Sequence, residues 1–110
     1  MMAIQISSDN ELRSIIFEKE RVIVKFIDEN CLICKALAPS FKQFSEDPAY
    51  KDITFLQMDA SENPVSSKEV KLTGTPFFAI YYKSTLRDCA LLSSENDVRD
   101  FLEQLLAAKE

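Results

Sequence analysis

Glu29–Lys35 reads ENCLICK, two cysteines with only Leu32 and Ile33 between them. Just before it, Arg21–Asp28 reads RVIVKFID, a β-branched and aromatic run of the kind that forms a buried strand. Just after it, Leu37, Phe41 and Phe44 recur at helical spacing. The pair therefore falls where a buried strand gives way to a helix, and active groups of open α/β sheets gather at strand C-terminal ends. A cysteine in a first helical turn faces backbone N–H groups of partial positive charge, which favour its thiolate. A second cysteine one turn along lies on the same side and can attack a mixed disulfide formed by the first.

Two other readings compete with a redox pair. Tetrahedral zinc takes four ligands, usually from two paired motifs. Here one pair exists, Cys89 lies far along the chain and histidine is absent, so no metal site is expected. The same absence removes Ser/His/Asp and Cys/His catalysis. Alternatively the cysteines are small core residues, a reading that the apolar Leu32 and Ile33 encourage.

Composition bounds the rest. A chain of 110 residues predicts a single domain over 1–110 with one modest core. A net charge of −5, with no large cationic cluster, argues against a nucleic-acid partner. No apolar run approaches a membrane span. The start, MMAIQISSDNELR, lacks the pattern of a secretory leader. Read as the whole translated chain, with an odd cysteine count, the sequence points to the cytoplasm.

Along the chain, AIQIS reads as a short strand with Ser7, Ser8 or Asp9 capping the helix that carries Leu12, Ile15 and Ile16. Pro39 lies within the helix after ENCLICK and predicts a kink there, or else marks the first turn of a helix starting near Ala38. Asp52–Ala60 is the next strand, and NPVSSKEVK a short helix ending near Leu72. PFFAIYY suits a strand buried on both faces, and LRDCALL follows as a strand after a turn at Lys83–Thr85. Ser93 or Ser94 caps a last helix with Val98, Phe101, Leu102, Leu105 and Leu106 on one face. Cys89 reads as a strand-core residue, or else as an exposed regulatory or intermolecular thiol; the three tyrosines and the eight phenylalanines read as core or core-edge residues. The order β-α-β-α-β-α-β-β-α implies an α/β fold, a central sheet with helices on both faces.

Over most of its length the sequence resembles the thioredoxin family. VIVKF matches the strand before the family's active site, and CLICKALAP its Cys-x-x-Cys-Lys-x-x-x-Pro. MDASENP resembles its Asp followed by Asn-Pro, and GTPFF the loop whose proline is cis and lies against the cysteines. The resemblance implies the thioredoxin fold with a mixed sheet, and thiol–disulfide exchange without metal or organic cofactor. It makes Cys31 the exposed nucleophile and Cys34 the resolving thiol. Thr75 would present backbone groups to a bound peptide, Pro76 would be cis, and Leu32 and Ile33 would rim the substrate site. Protein disulfides are the implied partners, with a separate reductant, such as a reductase, to reset the pair; a monomer is the default.

Several positions depart from the family pattern. Asn30 stands for a tryptophan and Leu32-Ile33 for Gly-Pro, while Glu29 and Asp28 put acids close to Cys31. Lys25 stands where thioredoxins carry a buried acid that exchanges a proton with the resolving cysteine. It either carries its ammonium along the strand to the surface, or reaches Cys34, where it would stabilise a thiolate. Gly74 is the only glycine, so the last hairpin turns without one, and Leu91 or Leu92, together with Phe77, is expected to narrow or reshape the groove. These departures predict poor recycling by an ordinary thioredoxin reductase. They also support a competing function, a thioredoxin-fold binding or scaffold module without redox work.

Overall fold

The computed structural model describes residues 4–108; Ala3, at the expected start of the first strand, lies outside them. The elements are β1 (Ile4–Ile6), α1 (Asp9–Glu18), β2 (Arg21–Ile27), α2 (Leu32–Glu46), β3 (Ile53–Asp59), α3 (Pro64–Glu69), β4 (Phe77–Tyr82), β5 (Thr85–Leu91) and α4 (Glu95–Ala107). A 3-10 turn at Pro48–Tyr50, capped by the Asp47 side chain, leads into β3. One five-stranded sheet runs β1-β3-β2-β4-β5. β1, β3 and β2 are mutually parallel, whereas β4 and β5 join antiparallel.

The pleat of β2 divides the core. Val22, Val24 and Phe26 point to one face, where Leu12, Leu56, Met58, Val70, Phe77 and Tyr81 complete a cluster. Ile23 points to the other, with Leu37, Phe41 and Phe44 of α2, Phe55, Phe78 and Leu102 and Leu105 of α4. Phe41 stands edge-on to Phe55 and Phe78, with centroids at 5.3 and 5.7 Å, and burying such a ring stabilises by roughly 1.5–3 kcal/mol. By the same alternation Lys25 falls on the α2/α4 face, in a core position.

The caps are Ser8 for α1 and Ser94 for α4, each accepting from an N–H three residues on. Asp9 instead reaches across to α3 and accepts from the N–H groups of Val65 and Ser66. α2 begins seven residues before Pro39 and continues through it to Glu46, so Pro39 marks no helix start. The packing of Leu37, Phe41 and Phe44 outweighs the one backbone bond that a proline removes. α3 ends at Glu69, short of Leu72, because Lys71 turns into the left-handed region with φ 54°. The β4–β5 turn is made by Lys83 and Ser84, both left-handed at φ 49° and 71°, where glycine is usual. Ser84 Oγ donates to the Ile16 carbonyl at 3.1 Å and helps hold that turn.

Three residues are less buried than expected. Phe17 is exposed at 77%, because α1 presents Leu12, not Phe17, to the sheet. Cys89 is half-buried at the edge of its cluster, since β5 is the outer strand. Leu106 is only partly buried against the α4 cluster.

Candidate active site

Three segments meet at the C-terminal end of β2. The strand stops at Ile27 and the chain turns through Asp28, whose Oδ1 accepts from the Asn30 N–H at 3.0 Å. The Asp28 carbonyl accepts from the Cys31 N–H at 3.3 Å. Such an Asx turn is a short-side-chain device for closing a loop on itself. Cys31 then caps α2: its backbone is extended at φ −86°, ψ 102°, and its Sγ accepts from the Cys34 N–H at 3.0 Å. A cap normally uses Ser, Thr, Asp or Asn oxygen, so sulfur here occupies the place where helical N–H groups converge. Cys31 and Cys34 are joined as a disulfide, with Cα atoms 5.2 Å apart.

The third segment is the Thr75–Pro76 loop, which precedes β4 and has a cis peptide bond. Thr75 Oγ1 donates to Asp28 Oδ2 at 2.8 Å, so one carboxylate closes the cysteine turn and ties it to the cis-proline loop. Sequence reasoning had only placed Asp28 near Cys31 as an acid. Its Asp-x-Asn spacing before a helix was the available signal for the turn; the Thr75 bond depends on β2 and β4 becoming neighbours. Both carboxylate oxygens of Asp28 are therefore engaged away from the sulfurs.

The burial pattern separates rim from sulfur. Leu32 and Ile33 are exposed at 79% and 45%, whereas Cys31 and Cys34 are covered to 8% and 4%. The apolar residues between the cysteines are thus not core. Cys31, expected to be exposed, is nearly covered while paired with Cys34. Leu91 is also exposed, with its Cδ1 3.6 Å from where a Cβ on Gly74 would lie. It therefore lies over the residue next to Thr75. Leu92 and Phe77 turn into the two core clusters and leave the loop's outer side free of their side chains.

Lys25 differs most from expectation. It is 1% exposed, so its ammonium does not reach the surface along the strand. Its Nζ donates to the Cys34 carbonyl at 3.1 Å and stands 5.4 Å from the Phe41 ring centroid. α2 packs across β2 and closes the route that a surface lysine would take. Burial pushes the Lys25 amine down to about 8. Beside it a cleft of about 330 Å³ is lined also by Cys34, Asp28, Glu29, Lys35 and Asp59. Glu29 and Asn30 themselves are exposed at the mouth of the turn.

Among the described residues no cluster of His, Cys, Asp or Glu is arranged to hold a metal ion, and no helix is long and apolar enough to cross a membrane. What the arrangement can do chemically is exchange a disulfide: two sulfurs within bonding reach, one at a helix N-terminus, beside an exposed apolar rim.

Comparison with known proteins agrees with this geometry. Residues 3–104 match the family model described as Thioredoxin. The chain is 35% identical over 80 residues to thioredoxin-1 of Schizosaccharomyces pombe, covering 73% of this chain and 76% of that one. It is 28% identical over 102 residues to thioredoxin 1 of Plasmodium falciparum, covering 93% and 96%. A solved structure of Plasmodium falciparum thioredoxin superposes with a TM-score of 0.84 at 29% identity, over 91% of this chain and 97% of that one. Spinach chloroplast thioredoxin f superposes with a TM-score of 0.87, over 94% of each chain, at 20% identity, a likeness of fold.

Proposed function

The chain belongs to the thioredoxin family and is a thiol–disulfide oxidoreductase, and from that premise we propose how its residues divide the reaction. Cys31 is the nucleophile. The reading rests on one observation above all, the Cys34 N–H donating to Cys31 Sγ at the N-terminus of α2. A hydrogen bond to the charged form lowers a thiol's titration, and the helix end adds partial positive charge. The Cys31 thiolate attacks one sulfur of a protein disulfide, forming a mixed disulfide and releasing the first substrate thiolate. Cys34 Sγ then attacks Cys31 Sγ, and the second substrate sulfur leaves as a thiolate that takes up a proton. Two electrons pass to the substrate, and the pair ends as the Cys31–Cys34 disulfide. An external dithiol, such as that of a reductase, resets it.

Thr75 and Pro76 form one wall for the bound peptide, Leu32 and Ile33 the apolar rim, and Glu29 and Asn30 modulate from the turn. Residues 1–110 work as one domain and as a monomer, in a compartment of reduced thiols such as the cytoplasm. Neither metal nor organic cofactor takes part.

The test is a redox titration in graded thiol/disulfide buffers, with the cysteines read by alkylation and mass spectrometry. A reversible Cys31–Cys34 pair is expected, and Cys34→Ser should accumulate the mixed disulfide at Cys31. No reversible disulfide at any poise would overturn the assignment and leave a binding module.

A further inference from the structure

Lys25 is a buried cation. Among the described residues no carboxylate lies within ion-pair distance of it, and its hydrogen bond goes to the carbonyl of Cys34. An ammonium taken out of water ordinarily has a paired charge or gives up its proton. In the oxidised protein the neighbouring Cys34 sulfur carries no charge, and so offers none. Once the disulfide is opened, that sulfur becomes an acid, on a residue that lines the same cleft as Lys25 and whose carbonyl Lys25 already holds. The counter-ion missing from the oxidised state is supplied by reduction.

Building on the redox assignment above, we propose that Lys25 is a positioning residue that acts as the counter-charge of the Cys34 thiolate, so that opening the disulfide creates a buried ammonium–thiolate pair. When a reducing dithiol opens the bond, two electrons enter. One proton goes to the Cys31 sulfur, or to solvent if Cys31 stays ionised. Cys34 remains a thiolate opposite the Lys25 ammonium; the dithiol's second proton goes to the Lys25 amine where that was neutral, and otherwise to solvent. The reducing dithiol leaves as its disulfide.

The other charges at this cleft come from every element around it: Asp28 and Glu29 after β2, Lys35 on α2 and Asp59 at the end of β3. Asp28 is committed to Asn30 and Thr75, and Asp59 to Ser61. Glu29 and Lys35 are exposed, where water screens them. Lys25 is the buried one, 1% exposed, and acts with the least screening. Phe41 beneath it faces the cation with its ring and supplies no proton acceptor.

The measurement is the titration of Cys34 in the reduced full-length protein. The 13Cβ resonances of Cys31, Cys34 and Cys89 are followed from pH 5 to 11 and assigned with single Cys→Ser variants. Lys25→Met keeps the stem and removes the charge; Lys25→Arg keeps a fixed charge. Cys34 is expected to titrate about 1 pH unit or more higher in Lys25→Met and to stay close to wild type in Lys25→Arg. At pH 8 the reduction equilibrium of Lys25→Met should fall about tenfold, a midpoint about 30 mV more negative. A folded Lys25→Met protein with wild-type Cys34 titration would overturn the proposal. So would an equal rise in both variants, which would make Lys25 a matter of packing. Should Lys25→Met not fold, Lys25→Arg decides by itself: a rise of 1 pH unit there refutes the counter-charge. A wild-type pair that never forms a reversible disulfide would instead refute the redox assignment, while the Cys34 titration would still report Lys25.

Discussion

Arg21 and Lys25 are two cations on the same face of β2, and they meet opposite fates. At the open end of the strand, Arg21 Nε donates to the Leu105 carbonyl at 3.0 Å and Nη2 to the Ala108 carbonyl at 3.2 Å. Nη1 pairs with Glu20, and the guanidinium stands 5.0 Å from the Tyr82 ring centroid. These are carbonyls at the C-terminal end of α4, where the helix carries partial negative charge; that of Leu105 also accepts from the Ala108 N–H at 3.2 Å. Arg21 is fully engaged and joins helix to sheet. Lys25, two repeats of the pleat deeper, meets one carbonyl and an aromatic ring. A cation saturated with partners holds the fold; one left short of them at a reactive sulfur is available to respond when that sulfur changes charge.

The largest way to break this contrast is from below. Phe41→Ala removes the ring that packs on Phe55 and Phe78 and floors Lys25. Denaturant unfolding should show a loss of about 3–5 kcal/mol. An effect under about 1 kcal/mol would mean that α2 repacks freely. Next, Arg21→Ala removes the side-chain donor to two helix-end carbonyls and should cost about 2 kcal/mol by the same assay. Lys25→Met should not show a comparable loss at neutral pH, since it replaces an unpaired charge by an apolar stem of similar length.

The pH dependence sharpens the difference further. Lys25 titrates near 8 in the folded chain against 10.5 ordinarily. Between those values the unfolded chain binds the extra proton, so folding stability rises with pH across that window. From pH 8 to 9 the oxidised protein should gain about 1 kcal/mol, and Lys25→Met should lose that slope. Above pH 9 the raised Cys89 thiol, and then Tyr81, pushed up to about 12 by burial, act in the opposite sense. A slope that persists in Lys25→Met would assign the effect to another group. Smallest in stability is Thr75→Val, which removes the bond to Asp28 and should cost about 1 kcal/mol. Its larger signature is expected in hydrogen exchange at the Asn30 and Cys31 amides, which the same carboxylate turn holds.

The readable part of the molecule was local. Val22, Val24 and Phe26 announce a strand and Leu37, Phe41 and Phe44 a helix, because backbone periodicity places every second or every third-to-fourth residue on one face. Ser8 and Ser94 cap where short hydroxyl side chains precede amphipathic runs. The less readable part depends on which elements become neighbours. Phe17 has the composition of a core residue but lies on the uncovered side of α1. Leu32 and Ile33 look like core and are rim, because the helix that begins with them turns Cys34 and Leu37 inward.

By itself the sequence determined the element order, the two core faces and the placing of a cysteine pair at a strand-to-helix junction. Those properties follow from the chemistry and spacing of neighbouring residues. Only the tertiary structure decided that Asp28 binds Thr75 across the sheet and that α2 closes over Lys25. The first joins residues 47 apart in the chain; the second depends on how α2 folds back over the strand just before it. Burial, unlike periodicity, belongs to whatever packs on top.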